Sequence, residues 1–531
     1  MTNYKGVFKQ IDLEKIDQYD IEKDKESFIV NLNNMFHVEF IEFEILDKFD
    51  IKIYFSGDKI TWIEKKEEHL LVDFSKFSLT YSDKEKYQYI KINTKINNIK
   101  DEKINIFVRK FPGLMVAARS DGFGARFMPI LNAMYLAEYT GFKFGFVWKK
   151  SGLDESSLKK FENNELAGIY LSNENDIFAT DFIEQYSYTD KLNSDRGLLE
   201  KKSLEEINFP NEKWGWYISQ STPQLIFDTF NQNFARDYPR LWKKIKFSDK
   251  MQKVIDKANK LAKFYFPSKF IAIHIRSGDI VYDEAVYSQG IEWLKAMPIE
   301  IAIHLIEENL NKNEKIVLFG DDFTSLRQLK VQYGINIVED FIDDNLSGIE
   351  RIIFEIVFMS NAKDAFTGHS SFARVATYIG IGREPTFYYK FFSRHKIYSI
   401  IQEKVEISKS HEFQKSFSYF FLFRLSIALN KKPEESLKWI IKAWKFNENN
   451  ELYKLGVILY YIICKQNKSA EKILYENPIK NIFFKNYYRK SFFGKNFKLY
   501  CKDLHVHEKD FPCIYNILKR LQQEHDNGYR I

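Results

Sequence analysis

The stretch Ile271-Ala272-Ile273-His274-Ile275-Arg276-Ser277-Gly278-Asp279 decides how this chain is read. Residues 270–275 form an apolar run typical of a strand buried in a parallel sheet, and the run stops abruptly in a polar loop. Open α/β sheets bind ligands in the crevice beyond the carboxyl ends of their strands. A guanidinium delivered there by Arg276 therefore suits a phosphate or diphosphate. The plainer role is a structural Arg276 paired with Asp279.

Working outward, short apolar runs alternate with helical patterns from Phe111 to about residue 400, the signature of βαβ units and an α/β fold. The spacing divides this region into a first Rossmann-like lobe over 111–265 and a second over 266–400. In the first, Phe127, Ile130, Leu131, Met134 and Leu136 recur at helical intervals, predicting a helix that begins near Ala125. In the second, strands are predicted near 270–275, 315–319, 335–338 and 364–367.

Before this region, residues 26–109 hold short runs such as Asp50-Ile51-Lys52-Ile53-Tyr54-Phe55 at the spacing of a β-sandwich, so 1–110 reads as a β-rich module. Its Trp62 and Tyr54 suit either a bound carbohydrate or ordinary packing. Beyond it, 401–531 turns helical. Leu452, Leu455, Gly456, Leu459 and Tyr460 partly match tetratricopeptide spacing, and a helical bundle packed on the second lobe is the other reading.

The 531 residues are 45% apolar and carry a net charge of +6. Acidic and basic residues are interspersed over most of the chain, which argues against nucleic acid as the partner. Three cysteines are too few for a disulfide framework and predict a reducing, cytoplasmic compartment. No apolar core follows Met1, so no secretory signal is expected. The longest apolar stretch, 455–464, is about half of what crosses a bilayer, leaving at most a peripheral contact with the inner membrane face.

Four loops of the α/β region fall where a strand ends or a helix begins, and backbone N–H groups there favour anions. One is Arg119-Ser120-Asp121-Gly122-Phe123-Gly124-Ala125-Arg126, in which Gly122 and Gly124 permit a sharp turn and Arg126 adds charge. Another is the stretch first quoted. The third, Gly320-Asp321-Asp322, places two acids where they either accept hydrogen bonds from a ribose or base, or cap the following helix. In the fourth, Gly368-His369-Ser370-Ser371 opens a helix with hydroxyl groups suited to a diphosphate or to capping.

Taken in this order, the loops resemble the GT-B glycosyltransferase superfamily that includes the α1,2-, α1,6- and protein O-fucosyltransferases. His-x-Arg-x-Gly-Asp at 274–279 carries the resemblance, supported by Gly-Asp-Asp at 320–322 and Ser-Ser at 370–371, and it reaches from about Phe111 to Tyr389. The resemblance implies two Rossmann-like lobes and a nucleotide-sugar donor of the GDP type. By it, Arg276 binds the β-phosphate, while Asp279, Asp321, Asp322, His369, Ser370 and Ser371 line the nucleotide site. The α1,6-type enzymes carry a Glu ten residues after the motif His as proposed catalytic base, a position that Glu284 occupies here. Such enzymes need no metal or other cofactor, and Arg276 with His274 would steady the leaving diphosphate. The chain departs from the pattern at Ser277, where those enzymes have a second arginine, and at Phe372 and Ala373 after the serine pair.

A metal-dependent transferase would need an Asp-x-Asp at a strand end beside Arg276, and none is present. Cys501, His505, His507 and Cys513 lack the paired spacing of a zinc site. On the acceptor side, Trp214, Trp216 and Tyr217 are aromatics suited to stacking on sugar rings or to burial. The expected acceptor is a hydroxyl of a bacterial surface polysaccharide, lipid-linked or free, and the C-terminal helices offer a surface for a protein partner. The competing class is a glycan-binding scaffold on a transferase-like core. Transfer of another nucleotide-activated group to capsular sugar is a further alternative.

Overall fold

The structure is a computed structural model. It describes residues 13–24, 26–45, 51–65, 70–73, 76–80, 85–94, 99–111, 113–119, 122–148, 159–161, 164–166, 172–189, 215–218, 234–291, 293–343, 345–346, 348–501 and 504–528.

The N-terminal module contains β1 (Leu13–Ile16), β2 (Asp20–Asp24), β3 (Ser27–Phe36), β4 (Val38–Ile45), β5 (Lys52–Ser56), β6 (Ile63–Glu64), β7 (Leu70–Asp73), β8 (Lys76–Thr80), β9 (Tyr87–Asn93) and β10 (Ile99–Arg109). They form two antiparallel five-stranded sheets, ordered β1-β10-β4-β8-β7 and β2-β3-β9-β5-β6. Period-two alternation explains the sandwich: Phe28, Val30, Ile90 and Ile92 from one sheet share a core with Ile41, Phe43, Ile104 and Ile106 from the other. On the outer face Tyr54 stands opposite Lys91, and the Lys91 ammonium lies 5.9 Å from the Trp62 ring. Both aromatic candidates of this module thus neighbour the same lysine.

The first lobe has a parallel sheet ordered β12-β11-β15, with β11 at Leu114–Ala118, β12 at Lys143–Val147 and β15 at Gly215–Ile218. A separate antiparallel pair, β13 (Lys159–Phe161) and β14 (Asn164–Leu166), follows β12. Helix α1 (Phe123–Thr140) joins β11 to β12 and ends at Gly141, whose φ of 72° is the left-handed cap that glycine adopts freely. Helix α2 (Asp249–Tyr265) closes this part of the chain.

The second lobe runs β16 (Ile271–Ile275), α3 (Ile299–Leu310), β17 (Ile316–Gly320), α4 (Phe323–Tyr333), β18 (Asn336–Ile337), α5 (Gly348–Ser360), β19 (Asp364–Thr367), α6 (Ser371–Ile381) and β20 (Thr386–Phe387). All five strands are parallel in the order β18-β17-β16-β19-β20. The first strand made is the central one. The chain travels outward through β17 and β18, then returns to the other side, so the order reverses between β16 and β19. Ligands bind open α/β sheets at such a reversal.

Helices α7 (Arg394–Lys404), α8 (Glu412–Ala428), α9 (Pro433–Phe446), α10 (Glu451–Ile463), α11 (Asn467–Glu476) and α12 (Pro512–Gly528) form the C-terminal region. Pro433 opens α9 at a position where its missing N–H costs nothing, and the Asn450 side chain caps α10 by accepting from the Leu452 and Tyr453 amides. Consecutive helices from α8 to α11 pack in series. The second sheet is a wall between two cores. Ile271, Ile273, Ile275, Ile316 and Leu318 face the C-terminal helices, while Ala272, Val317, Phe319 and Ala365 face the core shared with the first lobe. Among the described residues no helix is long and apolar enough to cross a membrane.

Candidate functional site

Three strand ends meet at the reversal point. β16 delivers Arg276, β17 delivers Asp321 and Asp322, and β19 delivers Gly368, His369 and Ser370. The Asp321 carboxylate ties the first two loops together: Oδ1 accepts from the Ser277 amide at 2.8 Å and the Gly278 amide at 3.0 Å, and Oδ2 lies 3.7 Å from Arg276 Nε. Gly278 is required here, because a Cβ would fall 2.8 Å from Asp321 Oδ2. Burial raises the Asp321 pKa; the Arg276 charge and the two amides pull it back down. Arg276 Nη2 also donates to Asp279 Oδ1 at 2.7 Å. The guanidinium is thus oriented by two carboxylates, and with 31% of its side chain exposed it remains open to a ligand.

His274 is buried behind it. Its Nδ1 lies 3.2 Å from Thr367 Oγ1, and its ring stacks on Phe372 with centroids 5.4 Å apart and planes 19° from parallel. Burial, reinforced by the Arg276 charge, pushes its pKa down to about 3. His274 is therefore neutral at physiological pH and offers hydrogen bonding instead of positive charge, a narrower role than a cation beside Arg276. Phe372, a departure from the fucosyltransferase pattern, supplies the stacking face.

The first turns of α1 and α6 touch. A Cβ on Gly124 would lie 2.8 Å from the Phe372 backbone nitrogen, so only glycine lets the two helix starts come this close. Ser370 caps α6, its Oγ accepting from the Ala373 amide at 3.5 Å, and Ser371 is the first residue of the helix. Gly122 precedes α1 without contributing a side-chain cap. Two helix N-termini, each the positive end of a backbone dipole, are brought together where Phe372 stacks on His274, two residues before Arg276. His369 is exposed, and its amide donates to the Leu294 carbonyl at 2.9 Å.

Other candidates face elsewhere. Arg126 is buried in the first lobe with its guanidinium 5.2 Å over the Trp148 ring. Asp322 is buried and fully engaged: it accepts from the Ser325 amide at 3.0 Å, Ser325 Oγ at 2.8 Å, the Tyr282 hydroxyl at 2.8 Å and Gln414 Nε2 at 3.0 Å. Of the two roles open to it, the structure displays the helix cap. Glu284 is solvent-exposed at the start of the short helix Glu284–Tyr287, which Asp283 caps by accepting from the Ala285 amide at 2.9 Å. Burial and the Glu284 charge push the neighbouring Tyr287 hydroxyl up to about 12. Trp214 lies outside the described residues, and Trp216 and Tyr217 lie on β15. Among the described residues no group of three His, Cys, Asp or Glu side chains is arranged to hold a metal.

Sequence reasoning gave no site role to Thr367, named Phe372 only as a departure from the family pattern, and missed the segment leading to Met297. The one available signal was Gly368, where a Cβ would fall 2.4 Å from the Lys295 carbonyl oxygen.

No family model matches the chain, and no curated protein matches it. Among solved structures, the NodZ alpha-1,6-fucosyltransferase co-crystallised with GDP is 14% identical, covering 50% of this chain and 91% of that one, with a TM-score of 0.29. Fucosyltransferase NodZ from Bradyrhizobium is 13% identical over 50% of this chain and 92% of its own, with a TM-score of 0.28. CBM32-1 from a family 31 glycoside hydrolase from Clostridium perfringens is 13% identical, covering 18% of this chain and 94% of that one, with a TM-score of 0.12. At such identities and TM-scores, the activities of those proteins remain statements about those proteins.

Proposed function

We propose that this chain is an inverting GT-B glycosyltransferase that moves a fucose-, other deoxyhexose- or heptose-type sugar from a GDP-sugar to a hydroxyl of a bacterial surface polysaccharide. The observation that carries the reading is the approach of the first turns of α1 and α6 at Gly124 and Phe372, against His274 of the strand β16 that ends in Arg276, at the reversal between β16 and β19. In the reaction Glu284 takes the proton of the acceptor hydroxyl, whose oxygen attacks the anomeric carbon from the face opposite the nucleotide. The bond from that carbon to the diphosphate oxygen breaks, and its electron pair leaves with GDP. Arg276 and the two helix ends balance the charge that accumulates on the departing diphosphate, which leaves no step requiring a metal. Neutral His274 contributes a hydrogen bond, and Asp321 holds the Arg276 loop in register. GDP as the nucleotide is what the resemblance carried by His-x-Arg-x-Gly-Asp implies.

Calorimetric titration with GDP, UDP and CDP tests this. Selective GDP binding supports the reading, binding of another nucleotide changes the donor, and binding of none favours a glycan-binding scaffold.

A further inference from the structure

We propose that Arg424, in the C-terminal helices and remote in sequence from the strand-end loops, is a positioning residue for the donor site. The inference rests on the transferase reading for what is positioned, and on geometry alone for the coupling.

Arg424 projects from α8 into the interior. Nη1 donates to the Gly290 carbonyl at 2.8 Å, and the guanidinium lies 4.4 Å from the Trp293 ring centroid and 3.8 Å from that of Phe492. Two further contacts pin the same turn to the helical region. The Phe492 amide donates to the Gln289 carbonyl at 2.7 Å, and Gly290, at φ 60°, has room only for hydrogen: a Cβ would meet Leu452 Cδ2 at 2.6 Å.

From that turn the chain leads directly into the candidate site. The Leu294 carbonyl accepts from the His369 amide at 2.9 Å, the Lys295 carbonyl abuts Gly368, and the Ala296 carbonyl accepts from the Tyr388 hydroxyl at 3.0 Å. The Met297 amide then donates to the Arg276 carbonyl at 3.0 Å. The described residues 289–291 and 293–297 of one short stretch of chain therefore link Arg424 to the backbone of Arg276 and His369. This strap is held at both ends through main-chain atoms, which transmit displacement without depending on rotamers.

Arg424 is an expensive way to fill this space. Among the described residues no carboxylate pairs with it, and burial pushes its pKa down to about 10. An apolar side chain would pack between Trp293 and Phe492 without the desolvation cost but could not hold the Gly290 carbonyl. The guanidinium satisfies both rings and the carbonyl together.

The test compares the full-length wild type with Arg424→Met, which keeps the packing volume, and Arg424→Lys, which restores the charge and one donor. Hydrogen exchange over 289–297 reads the strap, and GDP titration reads the site. Arg424→Met should melt within a few degrees of wild type, exchange faster over 289–297 and bind GDP about tenfold more weakly; Arg424→Lys should recover much of both. Unchanged exchange in a folded Arg424→Met overturns the coupling, as does unchanged GDP affinity in a wild type that binds GDP. If wild type binds no nucleotide, the transferase reading fails, while exchange still decides whether Arg424 holds the strap. Should Arg424→Met not fold, Trp293→Leu, which removes one face of the stack, is judged by the same two readouts.

Discussion

Gly124 and Phe372 approach so closely that a Cβ on Gly124 would lie 2.8 Å from the Phe372 nitrogen and 2.9 Å from its Cα. Both partners are in helices, so neither backbone can yield cheaply. Gly124→Ala should destabilise the protein by about 1–3 kcal/mol through overpacking and weaken GDP binding by parting the two helix starts. Thermal melts and calorimetry measure the two effects. Wild-type values for both would mean that the seam accommodates a methyl group.

Arg276→Ala should abolish transfer and leave the fold intact. Its ion pairs are partly solvated, so the stability change is expected to stay within about 1 kcal/mol. Loss of a cation that balances leaving-group charge predicts a fall in turnover of about a hundredfold or more. Near-normal turnover in a donor assay would refute the assignment of Arg276.

Glu284→Gln should leave GDP affinity unchanged while slowing transfer by about 10²- to 10⁴-fold, the range for loss of a positioned base. Glu284 is exposed, so the fold should be unchanged, and circular dichroism checks this. Turnover within a few-fold of wild type would assign the base elsewhere.

Glu300 makes a pH-dependent prediction. It is buried in α3, accepts from Ser418 Oγ at 2.6 Å, and burial pushes its carboxyl up to about 7, against the Ser418 hydrogen bond and the Lys415 charge. Below pH 4 both folded and unfolded states hold the proton, and the site costs nothing. As pH rises the unfolded chain releases it first, so stability falls until about pH 7 and is level thereafter. The full loss is about 3 kcal/mol. Glu300→Gln should match wild type near pH 4 and exceed it at pH 8 in urea melts; a gap independent of pH would exclude this origin.

The buried strands were legible because parallel strands covered on both faces are simple apolar runs. The 270–275 expectation matches β16 at Ile271–Ile275, and 364–367 matches β19. Helix α1 starts two residues before Ala125 because Gly124, which reads as turn chemistry, is there for its contact with α6. The sandwich begins at Leu13, ahead of residue 26, since β1 and β2 are short, polar edge strands recognisable only by their pairing to β10 and β3. Adjacent Asp321 and Asp322 are equivalent in sequence; the turn from β17 into α4 sends one into the loop and the other into the core. That the C-terminal helices share a core with the second sheet was anticipated only as a bundle packed on that lobe. Their contact with the site, through Gln414 and Arg424, joins residues about 90 and 130 positions apart, beyond the reach of local pattern.

The short link between sandwich and first lobe has its own consequence. β10 ends at Arg109 and β11 begins at Leu114, so only four residues of sequence separate them, a reach of about 14 Å at most. Its ends are fastened by the buried Arg109–Glu39 pair at 2.6 Å and by the Lys143 amide on the Gly113 carbonyl at 2.9 Å. Whatever one unit holds is thereby kept near the other, at an effective concentration on the order of millimolar.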